Sequence, residues 1–167
     1  MTNSCNMNMK DELRQVEALV KLERYTEAFE LLDMLGAANP QEPWIWITRA
    51  FVYSHQGDHE TAIGNLSRSI DLHDKEPHPF YMRGISFFHL GKYKESVMDF
   101  TKVIELCDFH KSDYYREPAY FFRADAYVRL KEFAKAKSDC IRVSDSMSTW
   151  TDKFRTKEEI LAECNQK

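Results

Sequence analysis

Residues 44–70 read WIWITRAFVYSHQGDHETAIGNLSRSI, and the spacing of their apolar side chains sets the organisation of the whole chain. Trp46, Ala50 and Tyr53 are separated by four and three residues, which places them on one face of a helix. Ala50, small and flanked by two aromatic residues, leaves room for a second helix to approach. Gln56-Gly57-Asp58 interrupts the pattern, and Gly57 can adopt the left-handed conformation that ends a helix. A second amphipathic run follows through Ala62, Ile63, Leu66, Ser69 and Ile70, with Ala62 as the small residue at the expected crossing point.

The same helix-turn-helix pattern recurs along the chain. Phe80, Gly84 and Phe87 repeat Trp46, Ala50 and Tyr53 at a shift of 34 residues, and Gly91, Tyr93, Ser96, Phe100 and Val103 continue the copy. Tyr120, Ala124 and Tyr127 repeat the face at a shift of 40, followed by Phe133, Ala136, Cys140 and Val143, so six residues are inserted there. Upstream, Tyr25, Ala28, Leu32 and Leu35 precede His59, Ala62, Leu66 and Ser69 by 34. A helix pair repeated at this period implies a solenoid, because each pair needs a neighbour to bury its apolar face.

These residues resemble the tetratricopeptide repeat family, in which an aromatic, a small and an aromatic residue on a first helix precede Gly-x-Tyr and a small residue on a second. QGDHETAI (56–63) and LGKYKESV (90–97) lie close to that pattern. The resemblance covers roughly residues 10–147. It is weakest in the first pair, where Glu12, Val16 and Leu19 stand in place of the aromatic-small-aromatic face, so that pair reads as a degenerate cap. The implied fold is all-α, a right-handed α-solenoid of about four helix pairs closed by a C-terminal capping helix.

Composition bounds the function. The chain has 167 residues, 43% of them hydrophobic and 13% aromatic, which suits a packed protein with a sizeable core. With 23 basic and 27 acidic residues the net charge is −4, which gives no support for a nucleic-acid partner. No apolar run reaches the roughly 20 residues of a membrane span, and MTNSCNMNMK at the start lacks the apolar centre of a secretory signal. A cytoplasmic location is expected, with Cys5, Cys107, Cys140 and Cys164 reduced. A monomer is the favoured oligomeric state.

Taken in order, residues 1–9 read as a disordered tail and 10–167 as a single domain, with units at about 10–42, 43–76, 77–116 and 117–147 and a capping segment at about 149–165. Ser148 or Thr149 is the expected N-cap of the last helix, whose apolar face carries Ile160, Leu161 and Cys164. The insertion CDFHKSDYYREP (107–118) is expected either to lengthen the preceding helix by about two turns or to form a loop.

The resemblance also implies where a partner would bind, since first helices of such arrays line a concave surface. The corresponding positions are Ile47, Thr48 and Phe51 in the second unit, Tyr81, Met82, Ile85 and Phe88 in the third, and Phe121, Phe122 and Asp125 in the fourth. This set is apolar and aromatic, the composition of a docking groove for a helix or extended peptide. Tyr114, Tyr115 and Arg116 in the insertion add residue types favoured at interface centres. A carboxylate clamp of the kind some relatives use for chaperone tails is not expected. Ile47, Tyr81 and Phe121 stand where it would need Lys or Arg, and Phe51 and Ile85 where it would need Asn.

His55 and His59 are four residues apart, but Gly57 between them breaks the helix, and Cys107-x-x-His110 lacks a second ligand pair; no metal site and no cofactor are expected. No nucleophile motif, phosphate loop or paired carboxylates stand out, so the chain is expected not to be an enzyme. The expected function is a non-catalytic protein-interaction module using its aromatic groove. An immunity protein that neutralises a toxin is an alternative, because the stretch from Glu117 to Cys164 looks like small stand-alone bacterial repeat proteins, and a secretion chaperone is another.

Overall fold

In the computed structural model, which describes residues 3–150 and 154–166, the helical period of the sequence becomes a series of antiparallel helix pairs. The chain divides into two compact units, Met1–Asp74 and Lys75–Lys167, where a single domain was expected. The first unit holds α1 (Asn3–Lys21), α2 (Tyr25–Ala38), α3 (Pro43–His55) and α4 (His59–Leu72). The second holds α5 (Pro77–His89), α6 (Tyr93–His110), α7 (Arg116–Arg129), α8 (Phe133–Cys140), a two-stranded antiparallel hairpin of β1 (Ser148–Trp150) and β2 (Phe154–Thr156), and α9 (Lys157–Asn165).

Each pair closes through the same turn. The backbone N–H of Arg24, Asp58, Lys92 and Glu132 donates to the carbonyl of Leu19, Tyr53, Phe87 and Tyr127, at 2.8–3.0 Å. The preceding residue donates to the carbonyl three positions back, which is the double bond of a Schellman C-cap. That preceding residue must be left-handed. Gly57 and Gly91 take φ of 79° and 70°, and the outer pairs put Glu23 and Lys131 into the same region at 58° and 61°.

The small residues mark the crossings. Ala50 and Ala62 are fully buried between α3 and α4, and Ala124 and Ala136 between α7 and α8. Gly84 takes this place on α5: the Ser96 hydroxyl donates to its carbonyl at 2.9 Å, and the Phe100 ring lies against its Cα. Around these contacts the first unit packs Val16, Leu32, Ile45 and Val52 with Leu13, Leu19 and Val20 of α1. Val16 and Leu19 thus hold the face of the degenerate first pair.

An arginine three residues after each leading aromatic binds the pairs further. Arg83 lies over the rings of Phe80 and Phe87, and Arg123 over those of Tyr120 and Tyr127. Each guanidinium then grips a carboxylate on the partner helix with two N–H groups, Arg83 on Asp99 at 2.8 Å and Arg123 on Asp139 at 2.7 Å. Arg49 keeps the aromatic contact, to Trp46, but donates backwards to Asp33 on α2 at 2.6 Å.

Three boundaries differ from those expected. α1 begins at Asn3 rather than near Asp11, so residues 3–9 are helical and not a tail; residues 3–21 contain neither Gly nor Pro, and Met9, one turn before Leu13, extends the apolar face onto the core. Residues 1 and 2 lie outside the described residues. The insertion divides between both expected forms: α6 continues to His110, Lys111 caps it in the left-handed region, and a short turn leads into α7. Ser148 is not an N-cap but the first residue of β1. The last helix is capped instead by Thr156, whose side chain accepts from the Glu159 N–H while Glu159 accepts from the Thr156 N–H.

Candidate partner-binding surfaces

In the first unit, α1 and α3 leave a cleft of about 340 Å³ between them. Met9 and Leu13 supply one wall, and Trp44 and Thr48, one turn apart on α3, supply the other. Lys10, Arg14, Glu17 and Glu42 bring both signs of charge to the rim. Glu42 positions the α3 wall: it accepts from the Trp44 N–H at 3.4 Å as the helix N-cap, with Pro43 next to it at the position where proline costs least. The Thr48 hydroxyl donates to the Trp44 carbonyl at 2.8 Å, so its polar atom is satisfied and its methyl can face the cleft. Trp44 remains 47% exposed, large for an indole.

In the second unit the aromatic side chains form a continuous packed cluster. Phe122 stacks on Phe100 at 5.4 Å between ring centroids, and Tyr81 meets both edge-on at 5.9 and 6.0 Å. Phe88 adds a further edge contact to Phe122 at 6.1 Å. Tyr115, from the insertion, lies against Tyr81 at 5.1 Å and stacks on the imidazole of His78 at 5.5 Å. Burial pushes the hydroxyl pKa of Tyr81 up, with Tyr115 and Tyr114 adding to it, and pushes that of Tyr115 up to about 12. Burial also lowers the pKa of His78, against the opposing pull of Glu76.

The expected groove residues separate into two groups. Ile47, Thr48, Phe88, Phe121, Phe122 and Asp125 are buried. Phe121 and Phe122 were expected to face a partner. Phe121 instead packs in a core with Ile160 and Cys164 of α9, and Phe122 in the aromatic cluster. Asp125 is fully buried and accepts from Arg155 of β2 at 2.9 Å. Phe51, Tyr81, Met82 and Ile85 are half-buried, and Phe51 holds the His55 ring at 4.4 Å.

Of the insertion residues, Phe109 and Tyr114 stand out, at 76% and 78% exposed. Arg116 is spent locally, donating to the Asp113 carboxylate, to Asp108 at 3.0 Å and to the Cys107 carbonyl at 3.3 Å. Trp44 lies outside the positions that the repeat pattern implies. It lies three residues before Ile47 and four before Thr48, so carrying that helix face back one turn would have reached it.

Cys107, Cys140 and Cys164 are free thiols and buried; burial, with Cys164 nearby, pushes Cys140 up to about 11. Among the described residues no group of three or more His, Cys, Asp or Glu side chains is arranged to hold a metal ion, and no helix is long and apolar enough to cross a membrane.

The sequence model of the tetratricopeptide repeat matches residues 77–110, the third helix pair. No curated protein matches the chain. Solved structures do. A putative kinesin light chain from Podosopora anserina with nearly identical TPR-like repeats aligns over 95% of this chain and 86% of its own, with a TM-score of 0.74 at 13% identity. The type IV pilus biogenesis factor PilW aligns over 80% of this chain and 59% of its own, with a TM-score of 0.70 at 13% identity. The TPR domain of Sgt2 from Aspergillus fumigatus aligns over 77% and 81%, with a TM-score of 0.60 at 18% identity. The repeat model thus matches α5 and α6, and the chain shares the all-α helical repeat fold of these tetratricopeptide-repeat structures.

Proposed function

We propose that the protein is a non-catalytic interaction module that binds a segment of another protein in the cleft between α1 and α3. Tetratricopeptide repeat proteins generally act by binding other proteins or peptides, and that general role is the starting point. The observation that carries the specific reading is Trp44: nearly half exposed, in the wall of a 340 Å³ cleft lined also by Met9, Leu13 and Thr48. An exposed indole beside an apolar cleft with a charged rim has the anatomy of an interface centre. The groove expected from the sequence is thereby narrowed. Phe51 packs against the core of the first unit, while Phe88, Phe121, Phe122 and Asp125 serve the interior of the second unit.

The partner in this reading is a helix or extended strand with one or two apolar anchors, flanked by charges that can meet Lys10, Arg14 and Glu17 on α1 and Glu42 at the start of α3. The test is affinity capture from the native cell with the unaltered chain and with Trp44→Ala, quantified by mass spectrometry. Loss of an interface anchor costs about 2 kcal/mol, so capture of the true partner should fall about thirtyfold while helical circular dichroism is kept. Equal capture by a folded Trp44→Ala chain would refute the cleft as the binding site. The partner recovered also sorts the biological roles: one stoichiometric toxic domain points to immunity, and unfolded clients point to a chaperone.

A further inference from the structure

The least expected part of the second unit is its C-terminal end. β1, β2 and α9 fold back so that α9 packs on α7 and α8, and Arg155 is driven inward until it is 1% exposed. There it donates to Asp125, itself 0% exposed, and to Glu163 of α9 at 2.5 Å. A buried arginine is stabilising only where its charge and all its N–H groups are matched.

The match at this point is incomplete. Arg83 and Arg123 in the same unit each close a two-pronged fork onto both oxygens of their carboxylates. Asp125 instead receives Arg155 through one oxygen at 2.9 Å and the Arg129 Nε–H at 3.5 Å on that same oxygen. Its other oxygen, Oδ2, and the Nε–H of Arg155 are both buried without a hydrogen-bond partner. Among the described residues the rest of the attachment is small. The hairpin has three residues per strand, and α9 contributes Ile160, Cys164 and the half-buried Leu161. Lys157 ties to Asp145 and the Val143 carbonyl, which belong to the turn leading into the same segment. A short hairpin has little stability of its own.

We propose that β1, β2 and α9 form a releasable strap over α7, and that the surface beneath receives a partner segment built like the strap, an arginine followed by an apolar helical face. Release uncovers Phe121 and Val128 with a carboxylate, Asp125, at their centre. The occupant that fits is defined by the one now seated: an arginine five residues ahead of one apolar contact and nine ahead of another, as in Arg155, Ile160 and Cys164. A guanidinium that engaged both oxygens of Asp125 would fill the bond that Arg155 leaves open.

The test is hydrogen–deuterium exchange on the full chain, read by mass spectrometry. In the unaltered protein, amides of residues 154–165 should show protection lower by about tenfold or more than those of α6, because the strap opens without the unit unfolding. Protection equal to that of α6 would overturn the proposal. Replacing the half-matched pair with apolar groups, Asp125→Leu with Arg155→Met, should raise protection of 154–165 toward the α6 level, since apolar replacement of an imperfect buried pair is often stabilising. Should that double variant fail to fold, the unaltered chain alone decides. The partner chemistry is read separately: on the Arg155→Met chain, a peptide copying residues 154–165 should bind about tenfold or more tightly than the same peptide with leucine for its arginine. Equal binding by the two peptides would overturn it.

Discussion

Replacing Gly84 by alanine tests whether the helix crossings are as fixed as their geometry implies. Gly84 lies inside α5, where alanine is favoured over glycine by about 1 kcal/mol on helix propensity alone. Yet a Cβ at this position would meet Cε1, Cζ and Cδ1 of Phe100 at 3.0, 3.1 and 3.3 Å. Phe100 is fully buried, with Phe122 stacked on it and Tyr81 at its edge, and the Ser96–Gly84 hydrogen bond holds the two helices together. The ring therefore has nowhere to go, and overpacking of this kind costs about 1–3 kcal/mol. Gly84→Ala should be net destabilising by about 1 kcal/mol, measured as the shift in urea midpoint followed by circular dichroism. Gly64→Ala supplies the control: Gly64 is exposed in α4, its Cβ would meet nothing within 4 Å, and about 1 kcal/mol of stabilisation is expected. Trimming the ring with Phe100→Leu should rescue Gly84→Ala, with a coupling of about 1 kcal/mol or more between the two sites. If Gly84→Ala stabilised as much as Gly64→Ala, the crossing would be adaptable and the packing argument wrong.

Lys131→Gly should stabilise by about 0.5–1 kcal/mol, because Lys131 holds at φ 61° the left-handed place that glycine fills in the middle pairs; a thermal melt with no gain would mean the turn is not strained. Asp139→Asn leaves the Arg123 guanidinium without its charge partner in a largely buried site and should cost about 3 kcal/mol in the same urea assay, whereas a loss near zero would show the fork to be solvated. His78 gives a pH signature: burial depresses its pKa in the folded state, so its contribution is fully present above the ordinary imidazole value and is lost as pH falls below about 6.5 and through the lower folded value. His78→Gln should flatten the pH dependence of stability between about pH 7 and 5.5, and an unchanged slope would assign it to other groups.

The helix pairs were legible in the sequence because their signal is local. Aromatic-small-aromatic spacing and a glycine at the turn are set by contacts within one pair, and Ala50, Gly84 and Ala124 all sit at crossings as the spacing requires. The groove was less legible because burial of a helix face depends on what lands on it from elsewhere. Phe121 and Asp125 are covered by residues some 30 positions later, and no periodicity announces that Arg155 will be pulled inside. The hairpin is too short to show an alternating pattern. One local signal was nonetheless present: Thr156 and Glu159 have the spacing of a capping box, which marks the true start of α9 better than Ser148 or Thr149.

The arginine bridges carry a consequence for how the chain reaches this structure. Arg49–Asp33, Arg83–Asp99 and Arg123–Asp139 all join residues 16 apart, so the entropy of closing each loop is alike, about (3/2)RT ln 16 or roughly 2.5 kcal/mol beyond a constant. What differs is the moment at which each bridge becomes available. The two in the second unit lie inside a single hairpin of helices and can form as soon as α5 meets α6 or α7 meets α8. The one in the first unit spans two hairpins and must wait until α3 has docked on α2. Contacts of short sequence separation favour rapid folding, so the pairs of the second unit can nucleate independently. A chain emerging from the ribosome would thus complete its leading unit through a slower docking event, with the later pairs each able to close on their own.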